Sequence, residues 1–94
     1  MATLFVRHQV KDYGQWKRVY DQFAPTRKKL GVTAAGVYRD ADEPNTLVVT
    51  HEFKNLDAAR AFSGSEELRS AMTEAGVDGP PEMWFTEDIE RTSN

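Results

Sequence analysis

Apolar and polar residues alternate along TLFVRHQV at positions 3–10. Leu4, Val6, His8 and Val10 fall on one face, and Thr3, Phe5, Arg7 and Gln9 on the other, which predicts a first strand. The period then lengthens. Tyr13, Trp16, Tyr20 and Phe23 recur at spacings of three and four, forming one stripe of a helix. Asp12 is placed to cap it, and Gln15 completes a capping box. Pro25 lacks an N–H and clashes with the preceding turn, so a kink or break is expected there. A shorter helical piece follows through Leu30, with Gly31 ending it. VTAAGVYRD (32–40) predicts a second strand, ADEPN a turn and NTLVVTHEF (45–53) a third strand, together a local hairpin. Asn55 opens a second helix through DAARAF. The SGS at 63–65 interrupts it, with Ser63 and Glu66 offering another capping box. SEELRSAMTEA carries Leu68, Met72 and Ala75 on one face, and Gly76 ends it. DGPP reads as a rigid loop, EMWFTEDIE as a fourth strand and RTSN (91–94) as a frayed polar tail.

The order β-α-β-β-α-β is that of an α+β ferredoxin-like unit. Right-handed crossovers give an antiparallel sheet ordered 4-1-3-2 with both helices on one face. The first and third strands are read as its central pair, running the same way. The other face has no helix. Phe5, Val48 and either Trp84 or Phe85 are expected on it, and an apolar patch of that kind calls for a partner. A homodimer packed sheet against sheet through this open face is the expectation.

Ninety-four residues make a single domain, 1–94. A net charge of −3 and no basic run longer than Arg27–Lys29 argue against nucleic-acid binding, which needs a concentrated positive face. No segment approaches the roughly 18 apolar residues of a membrane span. No export signal is seen, so a cytoplasmic location is expected. The absence of cysteine removes disulfides and thiolate metal sites.

VRHQVKDYGQWKRVYDQFAP, GVYRD, EFKNLDAARAF and AGVDGPPEMWF together resemble small bacterial proteins of the dimeric α/β-barrel superfamily. Within it the chain is most similar to the antibiotic-biosynthesis-monooxygenase-like and polyketide-cyclase-like groups. The resemblance implies a homodimer, a pocket between sheet and helices, and chemistry without a cofactor. The monooxygenase and haem-degrading members carry an asparagine on strand one and a tryptophan on strand three. Here strand one offers Arg7 and His8, and strand three Thr50, His51 and Glu52. Histidines on those two strands match some cyclase-like members.

His8 and His51, the two histidines of the chain, occupy equivalent places in LFVRHQV and LVVTHEF. On parallel neighbouring strands their rings sit side by side, about 4.8 Å apart across the ladder. Burial and a like-charged neighbour both lower a histidine pKa. Such a pair titrates in coupled steps, leaving a neutral imidazole able to act as general base. His51 is then the proton acceptor and His8 its partner. Trp16, Tyr20, Phe23, Phe62, Met72 and Trp84 are the candidate walls for a flat ligand. The alternative is two polar rings tolerated in the sheet, bonded to each other, to Tyr20 or to water. A metal site needs a third ligand, and alternation turns Glu52 away, so no metal is expected. Arg39 could hold a carboxylate, but a solvated strand end is the simpler reading.

Two functional classes follow. One is a cofactor-independent enzyme acting by general-base, cyclase- or monooxygenase-like chemistry on a small flat aromatic or polyketide-like molecule. The other is a non-catalytic dimer that binds a small hydrophobic ligand or is purely structural.

Overall fold

The computed structural model describes residues 1–94. Its elements are β1 (Ala2–Val10), α1 (Tyr13–Gln22), α2 (Ala24–Lys29), β2 (Ala34–Arg39), β3 (Thr46–Phe53), α3 (Leu56–Ser63), α4 (Glu66–Glu74) and β4 (Val77–Glu87). The sheet order is β2-β3-β1-β4, the 4-1-3-2 arrangement of a ferredoxin-like α+β fold.

Local chemistry sets the helix ends. Asp12 accepts the backbone N–H of Gln15, as an N-cap does. Gln15 does not return the bond, however; its Nε2 donates to the Glu74 carbonyl oxygen and ties α1 to the end of α4. Pro25 lies in the first turn of α2, where a missing N–H leaves no bond unmade, so it starts a new helix after Phe23. Asn55 caps α3 through Ala58 N–H. At the second break the cap is Ser65, which accepts from Leu68 N–H, and not Ser63, which is the last residue of α3. Gly31 and Gly76, with φ of 97° and 77°, end the two helical pairs in the left-handed region that a Cβ disfavours.

Every strand pair is antiparallel. This corrects the parallel orientation expected for β1 and β3. The crossover through α1 and α2 makes β2 run with β1, and the hairpin inserts β3 between them, opposed to both. The register changes accordingly: His8 faces Leu47, and His51 faces Leu4, with the Val6–Val49 pair between them. Fourth-strand pairing begins earlier than expected, at Val77, so DGPP belongs to β4. Arg7 pairs with Glu82 but Gln9 with Asp78, so Gly79, Pro80 and Pro81 bulge opposite His8. Prolines are tolerated there because β4 is an edge strand and the bulge needs no ladder donors.

The core lies between sheet and helices. Leu4, Val6, Phe53, Ala59, Phe62 and Leu68 form one buried cluster, and Val10, Trp16, Leu47, Val49 and Ala75 a second. Phe85 packs against the first cluster. The opposite face is open. Phe5 and Trp84 stack on it at 5.5 Å between ring centroids, and Arg7 reaches Asp40 and Glu82 across it.

Candidate functional site

Between the two core clusters the helices stand off the sheet. Each helical layer is broken once, α1 from α2 at Phe23 and α3 from α4 at Gly64. The space left is bounded below by Val6, His8, Val49 and His51. Above, α1 and α2 contribute Trp16, Val19, Tyr20, Phe23 and Arg27, and α4 contributes Leu68, Ala71, Met72 and the adjoining Ala75. It is a partly open hollow of about 50 Å³. At ~10–15 Å³ per water site, that is room for roughly four waters, well short of the ~300 Å³ of a small-ligand pocket.

His8 and His51 both line this space and both are buried, at 6% and 5% exposure. Four residues of ladder separate them, about 13 Å along the strand direction. The side-by-side pair expected from a parallel sheet is therefore absent, and the two rings stand at opposite ends of one cavity. His8 packs on Trp16 with centroids 5.9 Å apart, and His51 on Phe62 at 4.9 Å. Neither nitrogen of His8 has a hydrogen-bond partner in the protein, nor does Nδ1 of His51. They are bonded neither to each other nor to Tyr20. A buried polar group left unpaired costs about 1–3 kcal/mol, so these nitrogens favour a polar occupant.

Burial lowers the pKa of each imidazole to about 4. For His51 the positive charge of Arg27 adds to the effect and His8 contributes least. Both rings are thus neutral at pH 7, and for the same reason: desolvation of the cation rather than mutual repulsion. A neutral imidazole presents one N–H donor and one lone pair. A site with two of them can accept a proton at one end and donate a hydrogen bond at the other.

Of the walls expected from sequence, Trp16, Tyr20, Phe23 and Met72 line the cavity. Trp16 and Tyr20 stack on each other at 4.9 Å, and the Arg27 guanidinium lies over the Tyr20 ring. Phe62 stands behind His51 and does not reach the space itself. Trp84 is a correction: it pairs with Phe5 on the open face of the sheet, away from the cavity. Arg39 lies over the Tyr13 ring, 4.9 Å from its centroid, outside the site. Arg27 was not among the expected residues. The signal was present, since Arg27 follows Tyr20 by seven and Phe23 by four, but the break at Pro25 obscured the continuation of the stripe. No three His, Cys, Asp or Glu side chains are grouped to hold a metal ion.

The sequence profile of the antibiotic biosynthesis monooxygenase family matches residues 9–74, more than half of the chain. The chain belongs to this family. No functionally curated protein matches the sequence. Solved structures of similar fold include an antibiotic biosynthesis monooxygenase-type protein from Bordetella bronchiseptica, at TM-score 0.81 and 12% identity over 95% of this chain and 97% of that one. Another is SnoaB, a cofactor-independent oxygenase from Streptomyces nogalater, at TM-score 0.79 and 16% identity over 99% and 97%. A third comes from Nitrosomonas europaea, at TM-score 0.73 and 15% identity over 96% and 100%. At these identities the likeness fixes the fold of this family member and leaves its chemistry to its own side chains. No helix is long and apolar enough to cross a membrane.

Proposed function

We propose that this family member is a cofactor-independent enzyme that removes a proton from a small, flat, acidic aromatic or polyketide-like molecule held between sheet and helices. The observation that carries this reading is the pair of buried, neutral imidazoles whose nitrogens find no partner in the protein, on the wall of a cavity faced by Trp16 and Tyr20. His51 is the proton acceptor: its lone pair takes the proton of an activated C–H or phenolic O–H, and the nearby Arg27 charge stabilises the anion left behind. His8, at the far end, donates or accepts a hydrogen bond at the substrate's other polar edge. The delocalised carbanion then attacks a carbonyl of the same molecule in a cyclase, the alkoxide taking the proton back from His51, or passes an electron to dioxygen in a monooxygenase, where radical and superoxide combine, the peroxide takes the proton from His51 and loss of water leaves a carbonyl. Membership of the monooxygenase family favours the second route.

Oxygen uptake with 1,8-dihydroxyanthrone tests the reading, because that flat C–H acid gives a carbanion that reacts with dioxygen directly. The wild type accelerates uptake, and His51→Gln lowers kcat by about 10²-fold or more. Full activity in both His51→Gln and His8→Gln overturns the assignment. The competing reading, a binding or structural protein, draws on the cavity's 50 Å³, too small for such a substrate without opening. The same reading holds the protein to be a homodimer joined through the open sheet face. Its support is an exposed aromatic group there, with Trp84 41% and Tyr38 59% exposed.

A further inference from the structure

The histidine cavity is closed toward β2 by two side chains that belong to two spaces at once. Tyr20 and Arg27 line the cavity from one side. From the other they line an open groove of about 700 Å³ between α2 and β2, bordered also by Lys28, Val32 and Ala35. Ala35 is the ladder partner of His51. The groove therefore runs over the strand next to His51, and the small side chain of Ala35 leaves it unfilled. The Arg27 guanidinium lies 3.8 Å from the centre of the Tyr20 ring and donates through Nη1 to the Tyr20 carbonyl oxygen.

Arg27 is the one ionised side chain on the cavity, whose lining holds no acid. No carboxylate stands within ion-pair distance of it or of Lys28. A structural explanation exists: Arg27 caps the last turn of α1, where a cation is favourable. That explanation uses one of its five N–H donors and places no counter-charge. A half-buried guanidinium with free donors, a flat aromatic partner and no acid is suited to a planar anion, which it can grip through two parallel hydrogen bonds.

We infer that Arg27 selects the substrate of the proposed histidine site: a flat aromatic molecule bearing a carboxylate or ionised phenol, which enters through the groove over Ala35 and pairs its anionic oxygens with the guanidinium. The inference rests on the acid–base reading of the histidines and adds to it the charge of the substrate and its route. As the guanidinium leaves the Tyr20 ring for the anion, the partition opens and groove and cavity join. The aromatic body then slides beneath Trp16 and Tyr20 toward His51.

Titration of the full-length protein with 2-naphthoate and 2-naphthamide, followed by calorimetry, tests this without requiring turnover. The two probes share a shape and differ in charge. The wild type binds naphthoate about 10- to 100-fold more tightly than the amide. Arg27→Met abolishes the preference, Arg27→Lys keeps part of it, and Arg18→Gln, which removes an exposed charge away from the groove, keeps all of it. Equal binding of the two probes by the wild type, or a full preference in Arg27→Met, overturns the inference. Should Arg27→Met fail to fold, Ala35→Phe decides: it fills the groove from the strand side and slows naphthoate association in stopped-flow fluorescence, whereas an unchanged association rate refutes the route. A wild type inert in turnover but selective for naphthoate sinks the acid–base reading and keeps the anion site. An active wild type without that selectivity does the reverse.

Discussion

Acidification from pH 8 to pH 5 should cost this protein roughly 4 kcal/mol of stability through two side chains. In the unfolded chain His8 and His51 take up protons near 6.5, whereas burial in the folded state holds both at about 4. Below 6.5 the unfolded state therefore binds more protons than the folded one. Stability is fully present above about pH 7 and falls as the pH drops through 6.5, levelling off once the folded-state value near 4 is passed. At ~1.36 kcal/mol per pH unit, the full fall is worth about 3 kcal/mol per histidine, and at pH 5 about 2 kcal/mol each. A domain of this size has only about 5–15 kcal/mol to lose. Urea unfolding at pH 8, 6 and 5, at one fixed protein concentration, reads the effect directly. The slope between pH 6 and 5 should approach two protons. It should flatten in the His8→Gln, His51→Gln double variant. Stability constant within ~0.5 kcal/mol across that range, or an NMR titration placing either imidazole near 6.5, would refute burial as the cause. Any activity that depends on a neutral His51 should likewise fall on the acid side together with the folded population, since the ring resists protonation until the protein itself gives way.

Two further substitutions separate alternatives that the fold distinguishes. Ser65→Ala should destabilise by about 1 kcal/mol in urea because Ser65 caps α4, whereas Ser63→Ala, at the end of α3, should stay within ~0.5 kcal/mol. Equal effects would mean that the capping assignment is wrong. Trp84→Glu should convert a dimer to a monomer in sedimentation velocity while leaving the circular dichroism spectrum unchanged; a dimer that survives this substitution is not held together through the open sheet face.

The element order, the sheet order and both helix breaks were legible in the sequence because each rests on a local rule. Alternation marks β1 and β3, Pro25 can sit only at the start of α2, and glycines follow the helix ends. Strand direction was not legible from the same signals. Residues 3–10 and 45–53 alternate identically whichever way they run, and the histidine in the same place in each run suggested a false side-by-side pairing. Reversing one strand keeps both rings on the helix-covered face but moves them four residues apart. Arg27 was missed for a related reason. The break at Pro25 ends the stripe read along α1, yet Arg27 on α2 lines the same space as Tyr20 and Phe23. Trp84 could belong to either face until its pairing with Phe5 placed it on the open one.

The volume of the cavity decides which part of the wall must move if a ligand is to reach His51. About 50 Å³ admits no aromatic molecule, so one boundary has to yield. Lifting α1 would expose Trp16, which is 4% accessible. At ~25 cal/mol per Å² and about 150–250 Å² of side chain, that costs about 4–6 kcal/mol before the other contacts of α1 are counted. Swinging Arg27 off the Tyr20 ring gives up one cation–π contact and one charged hydrogen bond, together about 2–5 kcal/mol, but an anionic ligand replaces the hydrogen bond and supplies a charge partner that the guanidinium lacks. The cheaper motion is therefore the one that a ligand can itself drive. The helix breaks contribute indirectly: by ending α1 at Gln22 and restarting the helix at Ala24, they place Arg27 where it borders both the cavity and the groove.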